Sequence, residues 1–503
     1  MIPIEQFLIE LKKSIILFQP ETALVVTFLV ALIVDLIFRK SKNVSGIILL
    51  IGFIVTGILL CTAGNQNSVV FSKMLAVDPF AKFFKWVILI SSFIVVLMSF
   101  LSKELYEKDR RLGEYFSLIA GMTFGMFLLA GASNLIMIYL AIETMSISSY
   151  ILTGFTKEIK RASEASLKYV IFGAVSSGLM LYGISILFGL TGSLNLYDIN
   201  YAIAHGKAEM FPLLISGIMI IAGIGYKISA VPFHFWTPDV YEGAPVTITA
   251  LLSVASKAAG FAILIRFIKV AFFDHTSPVA GETWTLLSTI DWKYIIAILS
   301  VLTMTFGNLV AIWQTNVKRL LAYSSIAHAG YLLMGVVVMT DAGVAAILIY
   351  FVVYMFMNLG AFYVVMLFAN KIGSEELDDY TGIGYRSPVL GVCMVLFLIS
   401  LTGLPPTAGF IGKWYLFIAV LNSNYIWLAV VGVLNSVVSL FYYAKVIRNM
   451  FLRGVDQEHE PMAFSPMSII MLLLLAIPTL VLGIWYGPIL HWANKSVGLF
   501  LGN

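Results

Sequence analysis

The sequence predicts an all-α integral membrane protein with about 14 transmembrane helices, and three observations lead to that fold class. Of its 503 residues, 60% are hydrophobic and only 12% are charged, whereas soluble domains are about 45–50% apolar and about 25% charged. The mean hydropathy is +0.96. The apolar residues form runs of about 20, the length of a helical span, and not the alternating ten-residue segments of a membrane β-barrel.

Apolar runs between charged or turn-rich breaks define the spans. Their predicted limits are 20–38, 44–62, 83–101, 115–131, 133–155, 163–190, 211–236, 244–270, 294–312, 321–339, 343–369, 388–421, 425–447 and 467–489. The connections are too short for a soluble domain, so we expect one polytopic membrane domain over residues 1–503. The N-terminus lacks a compact signal peptide with a cleavage site, so the first span is expected to be retained.

Two predicted spans are interrupted by proline beside a lysine. Span 7 breaks at residues 227–232, KISAVP, and span 12 breaks at residues 400–414, SLTGLPPTAGFIGKW. If these spans correspond, spans 4–8 (115–270) match spans 9–13 (294–447), with 1–114 before them and 467–503 after them. Five spans is an odd number, so the second unit is inverted, an arrangement typical of ion-coupled transporters.

The distribution of lysine and arginine predicts the orientation. Loops after odd-numbered spans hold about sixteen basic residues, and the opposite side holds about eight. The odd-numbered loops are therefore expected in the cytoplasm, and both termini outside it.

Four ionisable residues lie deep inside predicted spans. Glu143, Lys227, Lys257 and Lys413 are each about eight to twelve residues from a span end, or about 12–18 Å at 1.5 Å per residue. An ionisable group at that depth costs about 2.5–3.5 kcal/mol on insertion scales, so a series of them indicates a function. The structural alternative for each is a neutral carboxyl or a lysine that only holds helices together.

Three further residues are weaker candidates. Lys168 is close enough to a span end for its amine to reach the membrane surface. His328 lies among serines and glycines and is either a hydrogen-bonded core histidine or part of a hydrated path. His234 follows Pro232 and is expected to support the break. Three other charged residues near span ends are predicted to be interface anchors: Asp35, Lys85 and Arg266.

Several function classes find no support in the sequence. Cys61 and Cys393 lie in apolar segments, and no haem or iron–sulfur signature is present. No phosphate-binding loop indicates ATP-driven transport, and no basic cluster with interleaved aromatic residues indicates nucleic acid. A buried acid followed by lysines and histidines instead predicts proton relay through the membrane.

Two motifs carry a resemblance to a known family. GIGYKISAVPFHFWTPDVYEGAP (223–245), followed by the span with Lys257, and SLTGLPPTAGFIGKW resemble the antiporter-like, proton-translocating membrane subunits of respiratory complex I, which are related to Mrp-type antiporter subunits. The resemblance covers spans 1–14. It is strongest to the N-type branch, because the chain stops at Asn503 where the L-type continues into a lateral helix. It also has Lys413 where the M-type usually has glutamate.

The resemblance implies roles for the buried residues. It pairs Glu143 with Lys227 as the groups that modulate lysine proton affinity, and it makes Lys257 the link between two half-channels. Lys413 becomes the distal lysine near the exit, and Lys168 also matches an N-type lysine. His328 has no comparable match and stays a candidate for the hydrated path.

The resemblance also implies the setting of the chain. NADH, FMN, iron–sulfur clusters and quinone would bind partner subunits, with no cofactor on this chain. The partners would be the other membrane-arm subunits, including adjacent antiporter-like and small membrane subunits, within the lipid bilayer of the bacterial cell (inner) membrane. Two alternatives stay open: an Mrp-type cation/proton antiporter subunit without redox coupling, and a structural membrane spacer.

Overall fold

A computed structural model describes most of the chain. The described residues are 4–38, 41–64, 66–107, 110–206, 208–274, 284–287, 290–453 and 460–501. Four of the basic residues counted for the orientation lie outside them: Arg39, Lys40, Lys108 and Lys207. The orientation therefore stays a prediction.

The N-terminal part consists of helices and one small hairpin. Its elements are α1 (Ile4–Leu17), α2 (Gln19–Ile37), α3 (Val44–Thr62), β1 (Ser68–Val70), β2 (Leu75–Val77), α4 (Pro79–Phe100) and α5 (Lys103–Tyr106). The two strands pair antiparallel, with Val69 opposite Ala76. Helix α1 precedes the first predicted span, and the sequence patterns identified neither it nor the hairpin.

The rest of the described chain is helical. The middle part contains α6 (Leu112–Gly131), α7 (Leu135–Thr153), α8 (Lys160–Thr191), α9 (Leu196–Ala204), α10 (Met210–Ile228), α11 (Trp236–Gly243), α12 (Val246–Leu251), a π-helical turn (Leu252–Ser256) and α13 (Lys257–Phe272). The C-terminal part contains α14 (Trp292–Ala311), α15 (Val317–Val337), α16 (Asp341–Ile372), a 3-10 turn (Leu377–Tyr380), α17 (Ile383–Arg386), α18 (Pro388–Thr402), α19 (Ala408–Asn422), α20 (Ile426–Phe451), α21 (Pro466–Ile484) and α22 (Gly487–Lys495).

The predicted all-α membrane fold is confirmed. Thirteen helices of the described residues are long and apolar enough to cross a membrane, counting Val246–Phe272 as one. The half-length apolar helices α18 and α19 occupy the remaining predicted span, the broken span 12. The helices α12–α13 and α15 are wholly buried, whereas only about a third or fewer of the residues of α8 and α21 are buried. The interior helices therefore carry Lys257 and His328.

The first break lies within the predicted segment 227–232. Helix α10 ends at Ile228 because Ser229 adopts a left-handed conformation with φ 63°, which ends a helix as a Schellman-type turn does. The N–H of Ala230 then donates to the carbonyl of Gly225 at 2.8 Å. The N–H of Val231 donates to the Thr303 hydroxyl at 2.9 Å. Predicted span 7 is thus α10 followed by a turn, and α11 begins only at the last residue of that span. The freed backbone groups of the turn find partners inside the protein.

The second break depends on glycine at two positions. Gly403 ends α18 with φ 88°, which favours a residue without Cβ. Gly409, in the first turn of α19, donates its N–H to the Ser400 hydroxyl at 3.0 Å. A Cβ at position 409 would lie 1.8 Å from the Ser400 carbonyl oxygen. This contact fixes how closely the two half-helices approach.

A recurring backbone pattern supports the predicted repeats. Leu135 N–H donates to Leu194 O at 2.8 Å, and Leu196 N–H donates to Ser133 O at 3.0 Å. Helices α8 and α16 both have 32 residues and end in a left-handed glycine. The equivalent bonds around α15 and α16 join Val317 N–H to Glu375 O at 2.8 Å and Leu377 N–H to Thr315 O at 2.7 Å. We therefore propose that residues 115–270 and 294–447 are inverted repeats.

Two predicted interface anchors are instead buried ion pairs. The Arg266 guanidinium donates to both carboxylate oxygens of Asp78 at 2.7 and 2.9 Å, and both side chains are completely buried. The Lys85 ammonium lies 2.5 Å from Glu21, also inside the protein. The prediction was wrong because a charge near a span end was read without its partner, which comes from a different helix. Asp35 is half-buried near the end of α2.

Candidate functional site

Lys227 lies in the last turn of α10 with an unusual environment. Its side chain is buried, and its ammonium has no hydrogen-bond partner among the described residues. It lies 5.4 Å from the ring centroid of Tyr150, 5.5 Å from that of Tyr169 and 5.3 Å from that of Tyr226. Three aromatic faces stabilise a cation without binding it in one place. Such a lysine can change its protonation state without breaking a hydrogen bond.

Glu143 lies on α7 and interacts with Lys227 from a distance. Its half-buried carboxylate accepts a hydrogen bond from Ser177 of α8. It acts on Lys227 electrostatically. Among the described residues, no ion pair within 4 Å joins it to a lysine or arginine. Glu143 and Lys227 therefore interact without direct contact. A small movement of Glu143 can change the strength of this electrostatic interaction.

Lys257 begins α13, directly after the π-helical turn. Its buried ammonium donates to the Ser325 carbonyl at 2.6 Å and to the Ser325 hydroxyl at 2.7 Å. Single π-helical turns within α-helices are frequent at functional sites. Gly260, one turn further on, packs against Ile228 and Lys227 of α10: a Cβ there would lie 2.6 Å from the Ile228 side chain and 3.7 Å from the Lys227 Cβ. The helices of the two lysines therefore touch at this level.

Polar residues on α15 continue from Lys257. Ser325, His328 and Tyr331 recur every three residues and share one side of the helix. The buried His328 ring is 2.5 Å from the Tyr350 hydroxyl and 3.3 Å from the Tyr443 hydroxyl. The weak candidate His328 thus lies at the centre of a hydrogen-bonded cluster, between Lys257 and Tyr331.

Lys413 lies at the far end of this series. Its buried ammonium donates to the Thr402 carbonyl at 2.8 Å, where α18 breaks, and to the Ser436 hydroxyl at 3.1 Å. It also lies 4.4 Å from the ring centroid of Tyr331. The Ser436 hydroxyl is 3.4 Å from the Tyr331 hydroxyl. Lys257 and Lys413 thus meet the same side of α15, Lys257 at Ser325 and Lys413 at Tyr331.

The two remaining candidates lie apart from this series. The Lys168 ammonium is 2.7 Å from both Glu164 and Asp239, and its side chain is 39% exposed, so it belongs to an ionic cluster near a helix end. Burial alone would raise the pKa of Asp239. The hydrogen bonds from Lys168 and Arg319 outweigh that effect, so the pKa of Asp239 lies below its usual value. His234 is buried between the rings of Phe235 and Phe306.

The sequence patterns missed the uncharged members of the site. Three tyrosines surround Lys227, and Ser325, Tyr331 and Ser436 link the lysines. Ser325 and Tyr331 had one signal, the density of hydroxyls in the apolar segment YSSIAHAGY (323–331). A hydroxyl both donates and accepts a hydrogen bond, so it can pass a proton between lysines without carrying a charge itself.

These features define a class of protein. A multi-pass helical membrane protein with broken helices and a buried series of lysines, hydroxyls and a histidine is an ion-translocating membrane subunit.

Comparison with known proteins identifies the family. The model of the NADH:quinone oxidoreductase/Mrp antiporter transmembrane family matches residues 132–439. "NADH-quinone oxidoreductase subunit N 2" of Chloroherpeton thalassium is 46% identical over 98% of this chain and 96% of that protein. A chain of respiratory complex I from Thermus thermophilus has a TM-score of 0.77 at 27% identity, over 94% of this chain and 98% of that one.

A chain of the Mrp complex from Dietzia sp. shares the fold, with a TM-score of 0.79 at 19% identity over 96% of this chain and 98% of that one. The chain belongs to the NADH:quinone oxidoreductase/Mrp antiporter transmembrane family, in its subunit N branch.

Proposed function

We propose that this chain carries protons across the bacterial cell membrane as the N-type membrane-arm subunit of NADH-quinone oxidoreductase. The observation that carries the proposal is the series of buried polar groups on one side of α15, with Lys257 at Ser325 and Lys413 close to Tyr331. The 46% identity to a subunit N over nearly the whole chain supports the same conclusion.

Glu143 and Lys227 form the first stage of the proposed relay. Quinone reduction in neighbouring subunits displaces Glu143 or changes its charge. Because Lys227 has no hydrogen-bond partner among the described residues, the field of Glu143 is a principal support of its charged state. Weakening that field lowers the proton affinity of Lys227, and each tenfold loss of affinity makes about 1.4 kcal/mol available.

Lys257, His328 and Lys413 form the second stage. The proton released by Lys227 passes to Lys257 on the adjoining helix. Ser325, His328 and Tyr331 then hand it along α15 by exchanging hydrogen bonds. Lys413 receives it at the second break and releases it on the other side. In this scheme Lys168 holds the α11 half-helix through Asp239, and His234 supports the first break.

The setting of the chain forms part of the proposal. NADH, FMN, iron–sulfur clusters and quinone bind partner subunits, and this chain binds none of them. Its neighbours are other membrane-arm subunits, both antiporter-like and small. Both termini lie on the periplasmic side, as the lysine and arginine distribution predicts.

Purification of the chain from its native membrane tests the assignment. In a mild detergent, we expect it to co-purify with NADH-oxidising activity, with mass spectrometry identifying dehydrogenase subunits among its partners. Co-purification with antiporter subunits, and no NADH oxidation, would instead establish the cation/proton antiporter. A normal proton yield after Glu143, Lys227, Lys257 and Lys413 are neutralised one at a time, with impaired assembly only, would establish the structural spacer.

A further inference from the structure

A charged cavity opens at the end of the bundle where α4 ends and α8 and α15 begin. It has a volume of about 500 Å³, and its walls include Glu104, Lys318 and Glu375. A second cavity of about 260 Å³ shares Arg161 and Glu242 with it. We refer to these two neighbouring cavities together as the vestibule. Its end of the bundle is the one predicted to face the cytoplasm.

One ion pair closes the inner wall of the vestibule. The Lys318 ammonium lies 2.9 Å from the Glu375 carboxylate and donates to the Ala244 carbonyl at 2.9 Å. The Lys318 side chain is only 4% exposed and that of Glu375 is 19% exposed. Breaking a pair this deeply buried is costly unless the lysine finds another anion.

A second carboxyl lines the same cavity as this lysine. Glu104 interacts electrostatically with both Lys318 and Glu375. Burial raises the pKa of Glu104 above its usual range, and the charge of Lys318 opposes that rise. The charge of Lys318 thus acts on two carboxyl groups, Glu375 in direct contact and Glu104 electrostatically. If Lys318 turns from Glu375 to Glu104 it keeps a carboxylate beside it, while Glu375, which is 19% exposed, is left lining the cavity.

The second stage of the relay lies directly behind this pair. Ser325, the partner of Lys257, follows Lys318 by two turns of α15, or about 10 Å along the helix axis. The hydroxyls of Tyr241 and Tyr354 both interact with Ser325, and neither has a hydrogen-bond partner among the described residues. Both tyrosines are fully buried. Ser325, which binds Lys257, therefore has two further buried hydroxyls beside it.

We propose that the Lys318–Glu375 ion pair is the gate through which protons pass from the vestibule to Lys257. The inference rests on the proton-carrying function proposed above and adds the intake side and its controlling residues. With Lys318 on Glu375 the gate is closed. When Lys318 turns towards Glu104, the space behind it joins the vestibule, and a proton from that side passes by Tyr241 and Ser325 to recharge Lys257 after the proton of Lys257 has moved on towards Lys413. Lys318 and Glu375 are positioning residues in this scheme.

Thiol accessibility behind the gate tests the proposal. Ala322 is fully buried and shares the face of α15 with Lys318 and Ser325. In a chain with Ala322→Cys, and with Cys61 and Cys393 replaced by alanine, we measure reaction with a small charged methanethiosulfonate in vesicles containing the assembled complex. Glu375→Gln is expected to speed the reaction by at least about tenfold, because it removes the bond that closes a local opening. Only reagent on the vestibule side should react.

The matched control is Glu107→Gln. Glu107 lines the same vestibule, and its pair with Lys103 at 3.4 Å is more than half exposed, so its loss should leave the rate unchanged. If Glu375→Gln hinders assembly, Glu375→Asp shortens the side chain while keeping its charge and should give an intermediate rate. An unchanged rate in an assembled Glu375 variant, or reaction from the opposite side, would overturn the gate. The rate is measured without NADH, so this result is independent of whether the complex pumps.

Discussion

In complexes with Lys227→Ala, the rate of proton translocation through this chain is expected to fall about a hundredfold, the usual effect of removing a proton-transfer group. The substitution removes the only lysine among the three tyrosine rings, so the charge of Glu143 has no proton carrier to act on. The Lys227 ammonium makes no hydrogen bond among the described residues. Its removal therefore leaves no buried group unpaired, and the complex should assemble normally.

The measurement is the initial rate of acidification of sealed vesicles on addition of NADH, divided by the amount of assembled complex. Lys73→Ala is a suitable control, because Lys73 forms a half-exposed pair with Asp198 at 3.5 Å outside the relay, and it should leave the rate unchanged. An undiminished rate in Lys227→Ala would remove Lys227 from the path.

Arg266→Met is expected to destabilise the chain by about 3–5 kcal/mol, the cost of leaving one charge of a buried ion pair without its partner. Asp78 would keep the N–H groups of Ala81 at 2.7 Å and Phe500 at 3.1 Å but lose both bonds from the guanidinium. Because these contacts join α4, α13 and the C-terminal segment, we expect the complex to be largely absent from the membrane.

The amount of assembled complex, measured on native gels, checks this prediction. The double variant Asp78→Asn with Arg266→Met removes both charges. It should recover much of the lost assembly, because the effects of substitutions at two contacting residues are not additive. Equal amounts in Arg266→Met and the unaltered chain would contradict the structural role of the pair.

The depth of a charged residue in an apolar segment was enough to identify the ionisable residues of the site. Glu143, Lys227, Lys257 and Lys413 are exceptional because of the cost of charge in a membrane, and that cost is visible in a single sequence. The prolines beside Lys227 and Lys413 likewise marked both breaks. The length of each piece was not predictable, because Ser229 ends α10 with a left-handed backbone that serine adopts only in a supporting environment.

Contacts between distant parts of the chain were beyond the sequence. Asp78 and Arg266 are 188 residues apart, and either one alone near a span end resembles an interface anchor. The tyrosines around Lys227 come from three helices, and a buried tyrosine is ordinary in an apolar span. The series from Lys257 to Lys413 likewise depends on the side of α15 that faces each lysine. Helix packing determines that side.

The proton-to-electron ratio of complexes with Lys257→Met tests the central claim most directly. Methionine keeps the length of the side chain and removes the group that passes the proton to Ser325. We therefore expect the number of protons translocated per electron to fall by the whole contribution of this chain, with assembly retained. Lys257→Arg, which keeps the charge but does not release its proton, should lower it equally. An unchanged ratio in a fully assembled Lys257→Met complex would contradict proton passage through this buried series.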